Sequence, residues 1–130
     1  MIYLDSAAVV KLVHAESESH ALRAWLDERV ETAWTSSALT EIETVRALAR
    51  HAPAAVVRLH SVLDLIEMVD IDAGVRILAQ TVKPATVHSL DAIHLATALR
   101  TRSRLTAFLT YDKWLADAAR EAGLPVEAPA

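Results

Sequence analysis

The chain has 130 residues, of which 53% are hydrophobic, and this length provides one hydrophobic core, so we expect a single domain over residues 1–130. The formal net charge of −4 and the aromatic content of 5% argue against a protein that holds nucleic acid through overall positive charge or an extended base-stacking surface. No cysteine is present, which excludes disulfides and thiolate sites. The sequence has no signal-like leader and no apolar run of roughly 18 residues, which predicts a cytoplasmic protein without membrane contact.

The N-terminal part of the chain predicts one strand followed by two helices. The apolar run Met1–Leu4 indicates a buried strand with Asp5 at its carboxyl end. A helical pattern follows over residues 6–13, and Ser17 or Ser19 can cap a second helix. The apolar positions of this second helix recur at helical spacing and are Ala21, Leu22, Trp25 and Leu26.

A second strand and a long helix are predicted next. Thr32–Ser36 is rich in residues that favour strands. Ser36 or Ser37 can then cap a helix that continues to about His51. The buried face of this helix is expected to comprise Ala38, Ile42, Val45 and Ala49.

The middle of the chain predicts a helix, a strand and a further helix. Pro53 suits the first turn of a helix that ends near Leu65. Ile66–Ile71 indicates a third strand, after which Asp72 can cap a helix over Ala73–Val82. Strands therefore continue to alternate with helices.

The segment His88–Leu99 carries the clearest helical pattern of the chain. Its apolar positions fall at i, i+3, i+4 and i+7 and are Ala92, Leu95, Ala96 and Leu99. Ser89 is the expected N-cap, which places Asp91 in the first helical turn. A carboxylate in that position is stabilised by the helix dipole and by free backbone N–H groups.

The C-terminal part predicts a strand, a helix and a short final strand. Leu105–Thr110 indicates the strand, and Asp112 lies just past its end. The last helix has its apolar stripe at Leu115, Ala118, Ala119 and Ala122. Gly123 ends this helix, and Val126 can add an edge strand. The whole pattern predicts a three-layer α/β/α domain with a mostly parallel central sheet of about five strands.

Four acidic residues occupy comparable junctions between elements. Asp5 and Asp112 follow strands, Asp91 opens a helix, and Glu43 lies in the second turn of the helix after the second strand. In an open parallel sheet, ligands bind outside the carboxyl ends of the strands, so these side chains are expected to meet in one cleft. Clustered carboxylates repel one another, and a divalent cation relieves this. Oxygen ligands without cysteine favour Mg²⁺ or Mn²⁺.

Such a site suits hydrolysis of phosphodiester bonds. The metal lowers the pKa of bound water, neutralises the phosphate and stabilises the leaving oxygen, and a carboxylate can serve as general base. The sequence leaves open whether one or two ions bind. It also leaves open whether Glu41 or Glu43 faces the site, because both flank the apolar face of their helix.

Four segments, in this order, resemble the PIN-domain ribonucleases, specifically the VapC-type toxins of bacterial toxin–antitoxin pairs. They are Ile2-Tyr-Leu-Asp-Ser6, Ser37-Ala-Leu-Thr-Glu-Ile-Glu-Thr-Val-Arg-Ala-Leu48, Ser89-Leu-Asp-Ala-Ile-His-Leu-Ala-Thr-Ala-Leu99 and Thr110-Tyr-Asp-Lys-Trp-Leu-Ala-Asp-Ala-Ala119. The resemblance runs from Met1 to about Val126, and the segment over residues 91–96 is highly specific. It implies a Mg²⁺- or Mn²⁺-dependent endoribonuclease acting on structured RNA such as tRNA or ribosomal RNA. It also implies a homodimer, inhibited by a VapB-type antitoxin whose tail blocks the acidic cleft, with DNA contacted only through that antitoxin.

The resemblance also assigns the site residues. It matches Asp5, Glu43, Asp91 and Asp112 to the catalytic, metal-binding acids, and it favours Glu43 over Glu41. The family often has serine or threonine two residues after the first aspartate, where this chain has Ala7. Ser6 is therefore the candidate for a substrate-binding hydroxyl.

Several other polar and aromatic residues have two interpretations. Arg46 and Arg50 lie on the Glu43 side of their helix and either contact RNA phosphates or form a solvated face; the same alternatives apply to Arg100, Arg102 and Arg104. His94 is interpreted as a buried structural histidine whose ring nitrogens have partners. The tryptophans are expected in the core or in an interface rather than stacked on bases, and they are Trp25, Trp34 and Trp114.

Other functional classes remain as alternatives. A phosphatase with an aspartate nucleophile requires a second aspartate where the chain has Ala7. A receiver-like signalling domain requires an acidic pair after the first strand, and Asp5-Ser6 does not supply it. A non-catalytic interaction domain with an acidic pocket is the third alternative, and metal-dependent cleavage of RNA distinguishes it from a nuclease.

Overall fold

Five parallel strands form the centre of the molecule in a computed structural model that describes all residues, Met1–Ala130. The strands lie in the order β3-β2-β1-β4-β5. Their bounds are β1 Ile2–Leu4, β2 Trp34–Ser37, β3 Ile66–Val69, β4 Ala107–Leu109 and β5 Val126–Glu127. Tyr3 of β1 is in register with Thr35 on one side and Phe108 on the other. The prediction of a parallel sheet of about five strands is confirmed.

Seven α-helices connect these strands and cover both faces of the sheet. They are α1 Ser6–Val13, α2 Ser19–Asp27, α3 Leu39–His51, α4 Val56–Leu63, α5 Ala73–Ala79, α6 Ser89–Arg100 and α7 Lys113–Glu121. Short 3₁₀ turns occupy Pro53–Ala55 and Arg102–Arg104. None of the helices has the length and apolar composition that a membrane crossing requires.

The alternation of side chains along β1 creates two hydrophobic clusters. Ile2 and Leu4 point to one face and pack with residues of α1–α4, among them Val9, Leu22, Leu48 and Leu59. Tyr3 points to the opposite face and packs with residues of α6, β4 and α7, among them Leu95, Phe108 and Leu115. Because β1 is buried on both faces, its sequence is uniformly apolar rather than alternating.

The direction of chain travel changes at the carboxyl end of β1. From β1 the chain proceeds through β2 to β3 on one side of the sheet, and it later enters β4 on the other side of β1. This change of direction opens a crevice between the loops that follow β1 and β4. Asp5 follows β1 directly, and Asp112 lies three residues after the end of β4.

The predicted buried face of α3 is wrong. Ile42 is 58% exposed and Ala49 is exposed, while Ala38 and Val45 are half-buried. The buried positions are instead Leu39, Thr40, Thr44 and Leu48. The threonines tolerate burial because the Thr44 hydroxyl donates to the Thr40 carbonyl at 2.6 Å and the Thr40 hydroxyl lies 2.6 Å from Ser36 Oγ. Hydrophobic periodicity gives no weight to polar groups that are satisfied in this way.

The helix starts differ from the predictions in detail. Ser89 is the first residue of α6, and His88 holds the cap position without a side-chain hydrogen bond; Asp91 is nevertheless in the first turn. Ala38 is the cap of α3, while Ser37 Oγ accepts the Leu39 N–H. The cap predicted at Asp72 is present, with its Oδ1 accepting the N–H of Val75 at 2.9 Å.

Candidate active site

Asp5 lies at the crevice and is almost completely buried, with 4% of its surface exposed. Its Oδ1 accepts the backbone N–H of Ala8 at 2.9 Å, so Asp5 is the N-cap of α1. Burial raises the pKa of Asp5 and the nearby Asp112 carboxylate raises it further, while hydrogen bonds from Thr110 and Ala8 lower it only in part. No lysine or arginine forms an ion pair with Asp5. Asp5 therefore has no lysine or arginine paired with it, although the nearby His94 ring lowers its pKa in part.

Asp91 and Asp112 lie on the same side of the sheet as Asp5. Asp91 is a half-buried residue of the first turn of α6. Burial raises its pKa, and repulsion from the Asp112 and Glu43 carboxylates adds to the effect. Asp112 is exposed and is the N-cap of α7, with Oδ1 accepting the Leu115 N–H at 2.8 Å. Both Asp5 and Asp91 thus interact electrostatically with Asp112, and Asp91 and Asp112 line one cavity.

Glu43 faces this group from α3 and is held by two side chains. Its Oε1 accepts a hydrogen bond from Ser6 Oγ at 2.6 Å and lies 2.8 Å from His94 Nε2. Burial raises the pKa of Glu43, but the hydrogen bonds from His94 and Ser6 outweigh burial and hold the pKa below its usual value. Glu41 is exposed and makes no such contact. The structure therefore points Glu43, not Glu41, into the crevice.

His94 is buried, with 3% of its surface exposed, and both of its ring nitrogens have partners. Its Nδ1 lies 2.7 Å from the hydroxyl of Tyr3. Burial raises the pKa of Tyr3 well above its usual value, so the hydroxyl keeps its proton and can donate it to Nδ1. The other ring nitrogen then carries the proton that is donated to Glu43. The expected satisfied histidine is present, but one of its partners is a candidate catalytic acid.

Sequence reasoning missed this connection between Tyr3, His94 and Glu43. Two signals point to it in retrospect. His94 lies three residues after Asp91, on the same face of α6. Tyr3 is the middle residue of β1, so it points away from Ile2 and Leu4 toward the helix layer that contains α6.

The donor set of this crevice fits a hard divalent cation. It consists of carboxylate oxygens, contains no sulfur, and is not neutralised by lysine or arginine. Burial is the largest cause of the raised pKa values of Asp5 and Asp91, and the Asp112 carboxylate raises both further, while the His94 ring lowers both in part. No three acidic or histidine side chains are close enough together to form a ready-made ligand cage. Side-chain rotation would therefore accompany metal binding.

The basic residues predicted near the site fall into two groups. Arg46 and Arg50 are exposed, form no ion pair, and line a cavity of about 650 Å³ together with Ser6 and Glu43. Arg100 instead pairs with Asp72 at 3.1 Å, and the remaining two arginines belong to the turn Arg102–Arg104. Only the first group adjoins the acidic crevice.

The tryptophans have three different environments. Trp25 is half-buried, with its ring 3.7 Å from the Arg29 guanidinium, and Trp34 lies in β2. Trp114 is 78% exposed, so the structure excludes it from the core. It lines a second cavity, which also contains Asp91 and Asp112.

Comparisons with known proteins agree with this fold. The family model described as PIN domain matches residues 2–121. Ribonuclease VapC35 of Mycobacterium tuberculosis is 46% identical over 131 residues, which cover 99% of this chain and 97% of that protein. Ribonuclease VapC47 of the same organism is 41% identical over 133 residues, with the same coverage. A crystal structure of VapBC2 from Rickettsia felis, bound to a promoter DNA fragment, superposes with a TM-score of 0.76 over 100% of both chains at 14% identity, which shows a common fold. The chain belongs to the PIN-domain family and is a VapC-type member of it.

Proposed function

We propose that this chain is a Mg²⁺- or Mn²⁺-dependent endoribonuclease that hydrolyses phosphodiester bonds in structured RNA, either tRNA or ribosomal RNA. The observation that carries the proposal is Asp5, a buried carboxylate with no cationic partner, in electrostatic contact with Asp112 at the crevice beyond β1. The relatives at 41–46% identity are named ribonucleases and align over nearly their whole length, which supports the same activity here.

In this proposal, Asp5, Asp91, Asp112 and Glu43 hold the metal. When bound, the ion supplies an activated water, neutralises the phosphate and stabilises the leaving oxygen. Both hydrogen bonds to Glu43 end on Oε1, which leaves Oε2 free to accept from a water or to ligate a cation. Ser6 and His94 therefore fix the orientation of Glu43 and favour its ionised form. An ionised carboxylate held in this way can also take a proton from the attacking water.

Binding of RNA requires local positive charge, since the whole chain carries a net charge of −4. Arg46 and Arg50 provide it beside Glu43, and neither guanidinium is committed to an ion pair. We assign them to phosphate contacts that position the RNA without reading its sequence. Ser6 lines the same cavity, but its hydroxyl already donates to Glu43, so we assign it to orienting that acid.

Regulation follows the relatives in this proposal. A VapB-type antitoxin blocks the acidic cleft with its tail, and DNA is contacted only through that antitoxin. The chain acts in the cytoplasm as a homodimer. Large apolar side chains that are exposed in the isolated chain provide surface for such partners, and they include Val30, Val57, Leu65 and Ile77.

The decisive experiment compares four purified proteins, the wild type and three variants, on total tRNA and ribosomal RNA, with Mn²⁺ and with EDTA. We expect the wild type and Glu41→Gln to cut RNA with Mn²⁺ and to lose activity with EDTA. We expect Asp5→Ala and Glu43→Gln to be at least about 100-fold slower, because each removes a metal-binding acid. Glu41→Gln is the matched control, since it removes a carboxylate from the same helix outside the crevice. Equal cleavage by wild type and Asp5→Ala would refute the proposal, and sequencing of the cut ends identifies the RNA.

A further inference from the structure

Trp114 is an exposed aromatic residue that lies next to the acidic crevice. The indole is 78% exposed, and single exposed apolar residues need no special explanation. It is, however, the second residue of α7, two positions after Asp112. It lines a cavity of about 330 Å³ whose other walls include the carboxylates of Asp91 and Asp112.

This cavity has an apolar side and a polar side. Trp114 and Leu115 provide one wall from α7, and the loop before α6 provides another with Pro84 and Val87. The same loop contributes the hydroxyl of Thr86 and the imidazole of His88, which can form hydrogen bonds with a flat polar ligand. A cavity of this volume, lined by apolar side chains and a few polar groups, can accommodate one small aromatic group with polar edges.

The N-terminal turn of α7 ties the indole to the acidic crevice. Asp112 Oδ1 accepts the backbone N–H of Leu115 at 2.8 Å, and Trp114 lies between these two residues in the chain. The backbone of Trp114 is thereby fixed relative to Asp112. A phosphate held at Asp91 and Asp112 through a bound cation would bring its neighbouring groups close to the indole, because all three residues line one cavity.

We propose that this cavity binds one unstacked nucleobase of the RNA substrate, next to the phosphate that is cut, with Trp114 as the stacking surface. The inference rests on the proposed ribonuclease function, because it is the scissile phosphate that must approach Asp91 and Asp112. A base stacks on indole whatever its sequence, while Thr86 and His88 can contact its edge. Only a base that has left its helix can enter such a cavity.

The first test measures base binding without cleavage. Tryptophan fluorescence is titrated with adenosine, guanosine, cytidine and uridine, which carry no phosphate and so need no metal. We expect quenching by nucleosides but not by ribose in the wild type and in Trp25→Phe, and none in Trp114→Phe. Quenching that survives in Trp114→Phe, or its absence from the wild type, overturns the assignment of Trp114.

The second test measures cleavage of total tRNA by wild type, Trp114→Phe and Trp114→Ala. We expect kcat/KM of Trp114→Ala to fall by about tenfold or more, mainly through KM, because base–aromatic stacking is lost. Trp114→Phe retains a ring and should lose much less. If the wild type is active and Trp114→Ala has the same KM, the inference is overturned. A change of mass in sedimentation of that variant would then assign the indole to a subunit interface. An inactive wild type with Trp114-dependent quenching would instead refute the ribonuclease proposal and leave the base site standing.

Discussion

The substitution Tyr3→Phe tests whether the hydrogen-bonded series Tyr3–His94–Glu43 prepares the crevice for its chemistry. The change removes one hydroxyl and keeps the ring, so the stacking on Phe108 at 5.0 Å and the edge contact with His94 at 6.0 Å are retained. What is lost is the 2.7 Å hydrogen bond to Nδ1 of His94. The imidazole is then free to change its tautomer or rotate, and Glu43 loses its defined donor.

The size of the effect follows from burial. An unsatisfied buried polar group costs about 1–3 kcal/mol, and no cavity term is added because only one oxygen is removed. For a chain of this size that corresponds to a fall in Tm of about 3–12 °C. Loss of a group that orients a metal ligand typically lowers metal affinity or activity by about 10–100-fold. Circular dichroism measures the fall in Tm. Calorimetric titration with Mn²⁺ measures the metal affinity, and an RNA cleavage assay measures the activity.

Tyr111→Phe is the matched control for this experiment. The Tyr111 hydroxyl also forms a single hydrogen bond, at 2.7 Å to the carbonyl of Pro129, but it does not contact His94 or Glu43. We expect Tyr111→Phe to lower stability without a comparable fall in Mn²⁺ affinity. The reasoning is refuted if Tyr3→Phe binds Mn²⁺ as tightly as the wild type, or if both variants lose the same activity.

Three further predictions concern the aspartates. Asp91→Asn should weaken Mn²⁺ binding and yet raise the metal-free Tm, since it removes a charge from a repulsive group; a protein that unfolds instead would make Asp91 a structural residue only. The raised pKa values of Asp5 and Asp91 mean that the folded state binds more protons than the unfolded state. The free energy of unfolding of the metal-free protein should therefore fall as the pH rises from the aspartate pKa of the unfolded state, about 4, through the higher pKa values of the folded state. Glu43, with its lowered pKa, has the opposite effect on stability at more acidic pH. Saturating Mg²⁺ should reduce the loss of stability at high pH. Urea unfolding at several pH values, with and without Mg²⁺, measures both effects. Asp112→Asn keeps an N-cap and should preserve Tm while weakening Mn²⁺ binding, whereas Asp112→Ala should also cost about 1 kcal/mol; equal Mn²⁺ affinity in wild type and Asp112→Asn would exclude Asp112 from the metal site.

The parallel sheet could be predicted from the sequence because the apolar runs that form its strands are short and are separated by clear helical patterns. The placement of Asp5, Asp91 and Asp112 at strand ends and helix starts could be predicted because these junctions share one edge in a parallel sheet. The buried face of α3 could not be predicted, since hydrophobic periodicity does not count Thr40 and Thr44, whose hydroxyls are satisfied by Ser36 Oγ and by the Thr40 carbonyl. The contact between His94 and Tyr3 also escaped, because it joins residues 91 positions apart and periodicity describes only neighbours along the chain.

Capping a helix and holding a metal are compatible roles for these aspartates. Asp5 and Asp112 each accept a backbone N–H at a helix start, and Asp91 lies in the first turn of α6. Three helix N-termini therefore present their positive ends to the same crevice and partly compensate its negative charge. A lysine or arginine in that place would neutralise the carboxylates and compete with Mg²⁺. Backbone N–H groups instead use some of the carboxylate lone pairs and leave the others free. The crevice therefore keeps carboxylate oxygens that no lysine or arginine neutralises, which is the condition that the proposed cation-dependent site requires.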